Sequence, residues 1–179
     1  MATLMQCERW PKMPRIVAID PGTTHTGIVY MDERRVIDAK TISYPKACGI
    51  DNYLLDERCQ NIWRQLEQFL VMHGHDVVVI EGYIPYVTNR GASRATSHQT
   101  PWLVGYLLSS LESIDITLTI QTSKQVLNPR TKGNLSNQKD LLEQGRFVYE
   151  GQKLLTNDHL RCAFLHGLYY LIGTGEVIA

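Results

Sequence analysis

Two short apolar segments of this chain each carry a carboxylate at their end, and this pattern restricts the fold more than any other feature of the sequence. The first, at residues 15–20, is rich in Ile and Val, ends in Asp20 and is followed at once by Pro21 and Gly22. The second, at residues 76–83, reads DVVVIEGY and carries Glu81. Short runs of this composition are typical of buried strands, and a wholly apolar one indicates a central strand covered on both faces. The sequence therefore predicts two buried strands that each present an acid at their end.

The other segments predict a mixed sheet with helices on its faces. Apolar runs at 27–31 and 36–43 follow the first strand closely enough to form an antiparallel meander with it. Apolar positions then recur at spacings of three and four from Leu55 to Phe69, which predicts an amphipathic helix that begins at an Asp51 cap and stops at Gly74. Later segments predict, in order, a helix at 101–112, a strand at 115–122, an irregular basic segment at 124–137, a helix at 138–149 and a helix from an Asn157 cap to Tyr170. The order βββαβαβα belongs to the α/β class.

Length and composition predict one intracellular domain. The 179 residues suffice for a single domain with a substantial core, which we place at 15–179 after an N-terminal extension at 1–14. The start lacks the apolar core of a signal peptide and no stretch approaches a membrane span, so we expect a soluble cytoplasmic protein with no membrane attachment. Lys+Arg and Asp+Glu balance at 18 each, which argues against a basic coat over the whole surface but allows a local basic patch. The four cysteines form no CxxC pair, which favours free thiols over a disulfide framework or a zinc site.

Acids at the ends of two neighbouring strands predict a site for a cation. If the strands are adjacent and parallel, their ends lie about 5 Å apart. Carboxylates that close repel each other unless a cation lies between them, and Mg²⁺ prefers such hard oxygen ligands. The alternative is that each acid caps the turn that follows it, since Asp-Pro-Gly is ordinary turn chemistry. The presence of both Asp20 and Glu81 favours the cation site.

The final predicted helix, in the segment NDHLRCAFLHGLYYL, carries further polar groups. Asp158, His159 and Cys162 lie within one turn, and His159, Cys162 and His166 share one stripe of the helix. Taken singly, Asp158 is expected to assist the Asn157 cap, because acids suit the first turn of a helix, and His159 to be a hydrogen-bonded core histidine. Their clustering at the start of a helix that would face the strand ends favours a role in the site.

The chain resembles the RuvC-type branch of the ribonuclease H-like nucleases, and it is most similar there to Holliday junction resolvases. Four motifs carry the resemblance over nearly the whole chain: IDPGTTHTG resembles the family's first motif, VVVIEGY the second, NPRTKGNLSNQKD the basic glycine-containing loop and NDHLRCA the last. The resemblance implies an α/β fold with a ribonuclease H-like mixed five-stranded sheet and helices on both faces. It also implies that Asp20 is the first metal-binding carboxylate, that Glu81 is the second, and that Lys139 matches the family's lysine near the next helix.

The last motif departs from the family pattern, in which two metal ligands stand three residues apart as Asp-x-x-Asp or His-x-x-Asp. Alignment on the following alanine places His159 and Cys162 at these positions, whereas alignment on the first acid places Asp158 and Arg161 there. The final aspartate is missing in both registers, and a thiol is a poor ligand for Mg²⁺. The sequence is therefore compatible with a divergent active enzyme, a weakened one or an altered site.

The resemblance implies a mechanism with two Mg²⁺ ions on either side of the scissile phosphate, one activating water and the other stabilising the leaving 3′-oxygen. In it Asp20 is the shared ligand, Glu81 binds one ion, and Asp158 or His159 binds the other, with Cys162 as a weak further ligand. His159 is alternatively the general base that acts on the attacking water. Mn²⁺ is expected to substitute for Mg²⁺. The family also implies a homodimer whose two sites nick opposing strands of branched DNA, the four-way junction.

Basic and aromatic residues near the acids predict the DNA-binding surface. No acid interrupts the four basic residues between 124 and 139, and two arginines lie in the loop after Glu81. Such residues are expected to track phosphates, although a solvated loop has the same composition. Two tyrosines follow Glu81, and each is expected either to stack on an unpaired base at the junction centre or to belong to the core. The candidates are Arg90, Arg94, Lys124, Arg130, Lys132, Lys139, Tyr83 and Tyr86.

Two other functions are weighed against a resolvase. Actin-like ATPases of the sugar-kinase superfamily also begin with Asp-x-Gly-Thr-Thr, but they need a second phosphate-binding Asp-Gly loop and a much longer chain. A non-catalytic protein that binds DNA junctions would keep the fold while its metal site decays, and Cys162 is the feature that favours it.

Overall fold

The computed structural model describes residues 13–32, 35–44, 52–83, 99–126 and 157–173. The predicted Asp51 cap, the helix predicted at 138–149 and most of the predicted extension at 1–14 lie outside these residues, so the domain boundary stays a prediction. The elements are β1 (Ile16–Asp20), β2 (His25–Asp32), β3 (Arg35–Ser43), α1 (Asn52–Met72), β4 (Val77–Gly82), α2 (Gln99–Glu112), β5 (Leu118–Thr122), α3 (Ser123–Val126) and α4 (Asp158–Gly173).

The five strands form one mixed sheet in the order β3-β2-β1-β4-β5. The pairs β1–β2 and β2–β3 are antiparallel, which confirms the predicted meander. The pairs β1–β4 and β4–β5 are parallel, because each of these strands is separated from its neighbour by a helical crossover. The central strands β1 and β4 are therefore adjacent and parallel, as the position of their acids required.

Helices cover both faces of the sheet, as predicted. On one face α1 and α2 pack on the odd-numbered side chains of β1, such as Val17 and Ile19. On the other face α4 packs on the alternate side chains, such as Ile16 and Ala18. The complete burial of these four residues explains why the segment reads as continuously apolar. No helix within the described ranges has the length and apolar content needed to span a membrane.

The segment predicted to be irregular from residue 124 instead begins with the short helix α3. The Thr122 hydroxyl oxygen accepts a hydrogen bond from the backbone N–H of Gln125, and the Gln125 side-chain oxygen accepts one from the backbone N–H of Thr122. This reciprocal arrangement is a capping box, for which Thr-x-x-Gln is the sequence signature. The capping box ends β5 and places Ser123 beside the end of β4.

Two glycines allow α4 to lie unusually close to the sheet. A Cβ on Gly27 of β2 would stand 2.3 Å from the backbone oxygen of His159, at the start of α4. A Cβ on Gly167 would stand 2.7 Å from the sulfur of Met31 and 3.2 Å from the Cβ of Ala18. Backbone lies against backbone at Gly27, so this contact sets the height of the first turn of α4 above the sheet.

We predict that Gly27→Ala lowers the free energy of unfolding by about 1–3 kcal/mol, because an extra methyl group in a filled space forces backbone shifts. Gly105→Ala is the matched control, since a Cβ at this exposed position of α2 meets nothing within 4 Å. It is expected to stabilise the protein by about 0.5–1 kcal/mol. Chemical denaturation of both variants measures the difference, and a Gly27→Ala variant as stable as the wild type contradicts the close packing.

Candidate active site

Asp20 and Glu81 stand side by side at the ends of the two central strands. The parallel register pairs Ile19 with Ile80, so the next residue of each strand is the acid. Side chains alternate along a strand, and Asp20 therefore shares the face of Ala18, which α4 covers. The two carboxyl groups are close enough for each to shift the pKa of the other. The prediction that the strand ends bring these acids together agrees with this geometry.

Asp20 and Glu81 have very different pKa values because of burial and of their neighbours. Burial, reinforced by the neighbouring charge of Glu81, raises the pKa of Asp20 to about 6, against the opposing effect of His159. Burial acts to raise the pKa of Glu81 as well, but contacts with His166, Asp20 and Ser123 outweigh it and lower that pKa to about 2. The two pKa values are thus pushed apart, which is the behaviour of two carboxyl groups forced together, and the pair carries one proton only below about pH 6.

The turn after Asp20 is held from two sides. The Thr26 hydroxyl donates a hydrogen bond to the carbonyl oxygen of Gly22 at 2.9 Å, which closes the turn. On the α1 side, the buried Arg58 donates to the carbonyl oxygen of Thr23 at 3.1 Å, and its guanidinium lies 4.8 Å from the ring centroid of Tyr44. Sequence reasoning did not single out Arg58, because an arginine within an amphipathic helix pattern is ordinarily exposed.

His159 reaches Asp20 from the first turn of α4. Its Nδ1 lies 2.8 Å from Oδ2 of Asp20, and its side chain is 37% exposed. The predicted cap is present, since the Asn157 side-chain oxygen accepts from the backbone N–H of Leu160 while its amide donates to the Thr41 hydroxyl on β3. The hydrogen bond and charge of Asp20 raise the pKa of His159. The cap and the sheet thus place one imidazole against the more buried acid.

The structure distinguishes the two registers of the last motif by position. Asp158 is 78% exposed and forms an ion pair with Arg161 along the helix surface. Cys162 lies between His159 and His166 on the same stripe of α4, and these two histidines contact the acids. Burial raises the pKa of its thiol to about 11, and the charges of Asp20 and Glu81 add to that effect. His159 and Cys162 therefore face the acid pair, and the thiol stays protonated at neutral pH.

His166 is a site residue that sequence reasoning placed on the stripe of α4 without giving it a role. It is 2% exposed, and its Nε2 lies 3.4 Å from Oε2 of Glu81. Its Nδ1 lies 3.1 Å from the side-chain oxygen of Gln121 on β5. Each acid of the pair thus has its own histidine from the same face of α4, two turns apart. The sequence shows the spacing of the two histidines, but it does not show that Gln121 of β5 is the neighbour of Glu81 in the sheet.

A cleft of about 200 Å³ opens beside the acid pair. Asp20 and Glu81 form one wall, Thr100 and Val104 of α2 contribute another, and Tyr83 and Ser123 also line it. The Tyr83 residue is 39% exposed, so the structure places this candidate at the cleft and not in the core. The candidates Tyr86, Arg90, Arg94, Arg130, Lys132 and Lys139, and the side chain of Lys124, lie outside the described residues.

The donor set of the site suits a hard divalent cation. In the parts of the chain that the structure describes, no three His, Cys, Asp or Glu side chains are arranged to hold a metal ion on their own. Mg²⁺ in proteins is usually bound by one or two carboxylates, with water and substrate phosphate oxygens completing its shell. Asp20 and Glu81, side by side at the cleft, would supply those two carboxylates.

The acid pair predicts an unusual pH dependence of stability in the presence of a chelator. The pKa of Asp20 is raised from 3.8 to about 6, so its stabilising contribution is present below about pH 4 and is lost as the pH rises through 6. Glu81 acts with opposite sign, but only below about pH 4.5. The Asp20→Asn variant stays neutral, so its free energy of unfolding is expected to rise relative to the wild type by up to about 1.4 kcal/mol per pH unit across this window.

Denaturation at several pH values between 4 and 7 measures this difference. Asp115→Asn, which changes an exposed acid in the turn before β5, serves as the control and is expected to show a constant offset. A constant offset for Asp20→Asn as well contradicts the raised pKa of Asp20.

Comparison with known proteins identifies the fold. No protein-family model and no curated protein matches this sequence. The RuvC structure from Thermus thermophilus superposes with a TM-score of 0.62 at 18% identity, covering 90% of this chain and 96% of RuvC. The yeast mitochondrial Holliday junction resolvase Ydc2 gives a TM-score of 0.61 at 10% identity, with 92% and 80% covered. The fowlpox virus Holliday junction resolvase gives 0.54 at 12% identity, with 89% and 99% covered. The chain therefore has the ribonuclease H-like fold of these resolvases, as predicted.

Proposed function

We propose that this protein is a metal-dependent DNA endonuclease that resolves four-way junctions by paired nicks. The observation that supports it most directly is the contact between Asp20 and Glu81 at the ends of adjacent parallel strands. The neighbours of known structure include a RuvC from Thermus thermophilus in complex with a Holliday junction substrate, with which this chain shares its fold at 16% identity. The proposal combines that shared fold with the acids, the histidine and the cleft of this chain.

Two kinds of residue have a role in the proposed reaction: the acids bind the cation, and His159 accepts a proton. Asp20 and Glu81 would hold the divalent cation, Mg²⁺ or Mn²⁺, and each also contacts a histidine of the helix α4. The cation, when bound, supplies Lewis-acid activation of water and stabilisation of the leaving oxygen. His159 donates from Nδ1 to Asp20, which leaves Nε2 available to accept a proton from the attacking water. Asp158 stays a candidate ligand from the sequence, although its exposed ion pair with Arg161 supports His159 more strongly.

Binding of the junction is assigned to the cleft and to the basic segments that follow Tyr83 and Ser123 in the sequence. Tyr83 lines the cleft and presents an aromatic surface to an unpaired base. The remaining candidates, Arg90, Arg94, Lys124, Arg130, Lys132, Lys139 and Tyr86, would follow the phosphates and the junction centre. Two copies of the chain in a homodimer would bring one acid pair to each of the two opposing strands.

The central test is cleavage of a synthetic four-way junction with Mg²⁺, with duplex and single-stranded DNA of the same sequence as controls. We expect paired nicks in the junction only. Asp20→Asn is expected to reduce the cleavage rate roughly a hundredfold or more, equivalent to about 3 kcal/mol of transition-state stabilisation, while junction binding persists. Asp115→Asn is the matched control and is expected to cleave normally. Cleavage by Asp20→Asn at a rate close to the wild type would remove Asp20 from the site.

A protein that binds junctions without cleaving them is the second candidate, and Cys162 is the observation that favours it. Cys162 stands where the resemblance expects an aspartate, and a thiol is a poor ligand for Mg²⁺, the more so as burial raises its pKa. A site with fewer hard ligands is expected to work better with Mn²⁺ than with Mg²⁺, because Mn²⁺ tolerates nitrogen and softer ligands.

Cys162→Asp is predicted to raise Mg²⁺-dependent cleavage. With a chelator present, the third carboxylate beside the acid pair is expected to lower the melting temperature, because it adds an unpaired half-buried charge. Added Mg²⁺ is expected to restore that temperature. A variant that melts early with and without Mg²⁺, and gains no cleavage, identifies Cys162 as an ordinary packing residue.

A further inference from the structure

His166 is the most buried ionisable side chain at this end of the sheet that the proposed reaction does not use. It lies on α4, is 2% exposed, and has both ring nitrogens within contact distance of a polar side chain. Nδ1 lies 3.1 Å from Oε1 of Gln121, and Nε2 lies 3.4 Å from Oε2 of Glu81. The ring therefore bridges the helix to two neighbouring strands at one point.

Gln121 completes this bridge from β5. Its side chain is buried, with the residue 4% exposed, and its backbone is paired in register with Glu81 on β4. The surroundings are apolar, since Val79, Ala163 and Phe164 belong to the same cluster on this face of the sheet. Burying an imidazole and an amide among such residues costs free energy that leucines in the same places would not cost. The pair of polar residues is therefore better explained by what it holds than by packing.

What it holds is the carboxylate of Glu81. His166 lies 3.4 Å from one of the two oxygens of Glu81, while Asp20 and Ser123 border the same cleft and lower the pKa of that carboxyl group. Gln121 holds the opposite edge of the imidazole ring and so sets the ring's rotation. Partners that orient a metal-binding side chain in this way are a general feature of metal sites, and their loss typically weakens metal affinity 10–100-fold.

We propose that His166 and Gln121 form a positioning relay that orients Glu81 toward the divalent cation it shares with Asp20. This inference rests on the proposed function, because it concerns the same cation site. His166 is a positioning residue and not a catalytic one, since it acts through Glu81. The relay adds β5 to the elements that build the site, although neither His166 nor Gln121 would touch the cation.

The test is isothermal titration of the full chain with Mn²⁺ in the absence of DNA. His166→Phe, which fills the space of the ring without its nitrogens, is expected to weaken Mn²⁺ binding about tenfold or more. Gln121→Leu is expected to weaken it in the same direction. His166→Gln retains a donor and is expected to recover part of the affinity. His73→Phe is the matched control, because His73 also pairs with a carboxylate, Asp38, at 2.9 Å, but on the far side of the sheet.

The melting temperature of each variant in the presence of a chelator shows whether the variant folds, so that a loss of Mn²⁺ affinity in a folded variant is not a loss of structure. If His166→Phe does not fold, the double variant His166→Leu/Gln121→Leu removes both buried polar groups together and is titrated in its place. Folded His166 variants that bind Mn²⁺ within twofold of the wild type overturn the relay while the proposed cation site stands. A wild type that binds Mn²⁺ no better than Asp20→Asn overturns the cation site and the relay with it. Weaker binding in His166→Phe with unchanged binding in His73→Phe supports the relay.

Discussion

The contact between two carboxyl groups at the ends of β1 and β4 is the interaction on which the rest of this structure depends. Because the two apolar strands pair in parallel and in register, Asp20 and Glu81 lie side by side on the face that α4 covers. Like charges in a half-buried place cannot both persist, so the pair must be compensated by a proton, by cationic groups or by a metal ion. The surrounding elements supply histidines and leave a cleft open beside the acids.

The helix α4 links the hydrophobic core to this pair. Its apolar residues cover one face of the sheet, while Gly27 and Gly167 bring its backbone close enough for His159 and His166 to reach the acids. The two imidazoles are seven residues apart and therefore lie on the same side of the helix. One meets Asp20 near solvent and the other meets Glu81 in the interior. Packing and site chemistry thus depend on the same helix, and a shift of α4 would disturb both.

Much of the fold followed from the sequence because its signals are local. The five strands, the helices on the faces of the sheet and the Asn157 cap follow from apolar patterns and capping residues. The parallel pairing of β1 and β4 was only a condition of the predicted cation site, and the structure establishes it. The start of α3 did not follow, although the Thr122–Gln125 capping box is readable once the end of β5 is known.

The candidate site was only partly predictable, since its details depend on packing. The acid pair followed from the strand ends. The choice between Asp158 and His159 did not, because adjacent residues of a helix point in different directions and only the seating of α4 against Gly27 decides which one faces the sheet. Arg58 contacts Thr23, 35 residues away in the sequence, and Gln121 contacts His166, 45 residues away. No local sequence pattern predicts contacts over such separations.

The most direct test of this account is a crystal structure of the protein soaked in Mn²⁺, with anomalous scattering used to locate the ion. We expect an anomalous peak bonded to oxygens of both Asp20 and Glu81, with His166 still in contact with Glu81. A well-occupied peak elsewhere, or none at a concentration that supports junction cleavage, would contradict the claim that the paired acids form the catalytic centre.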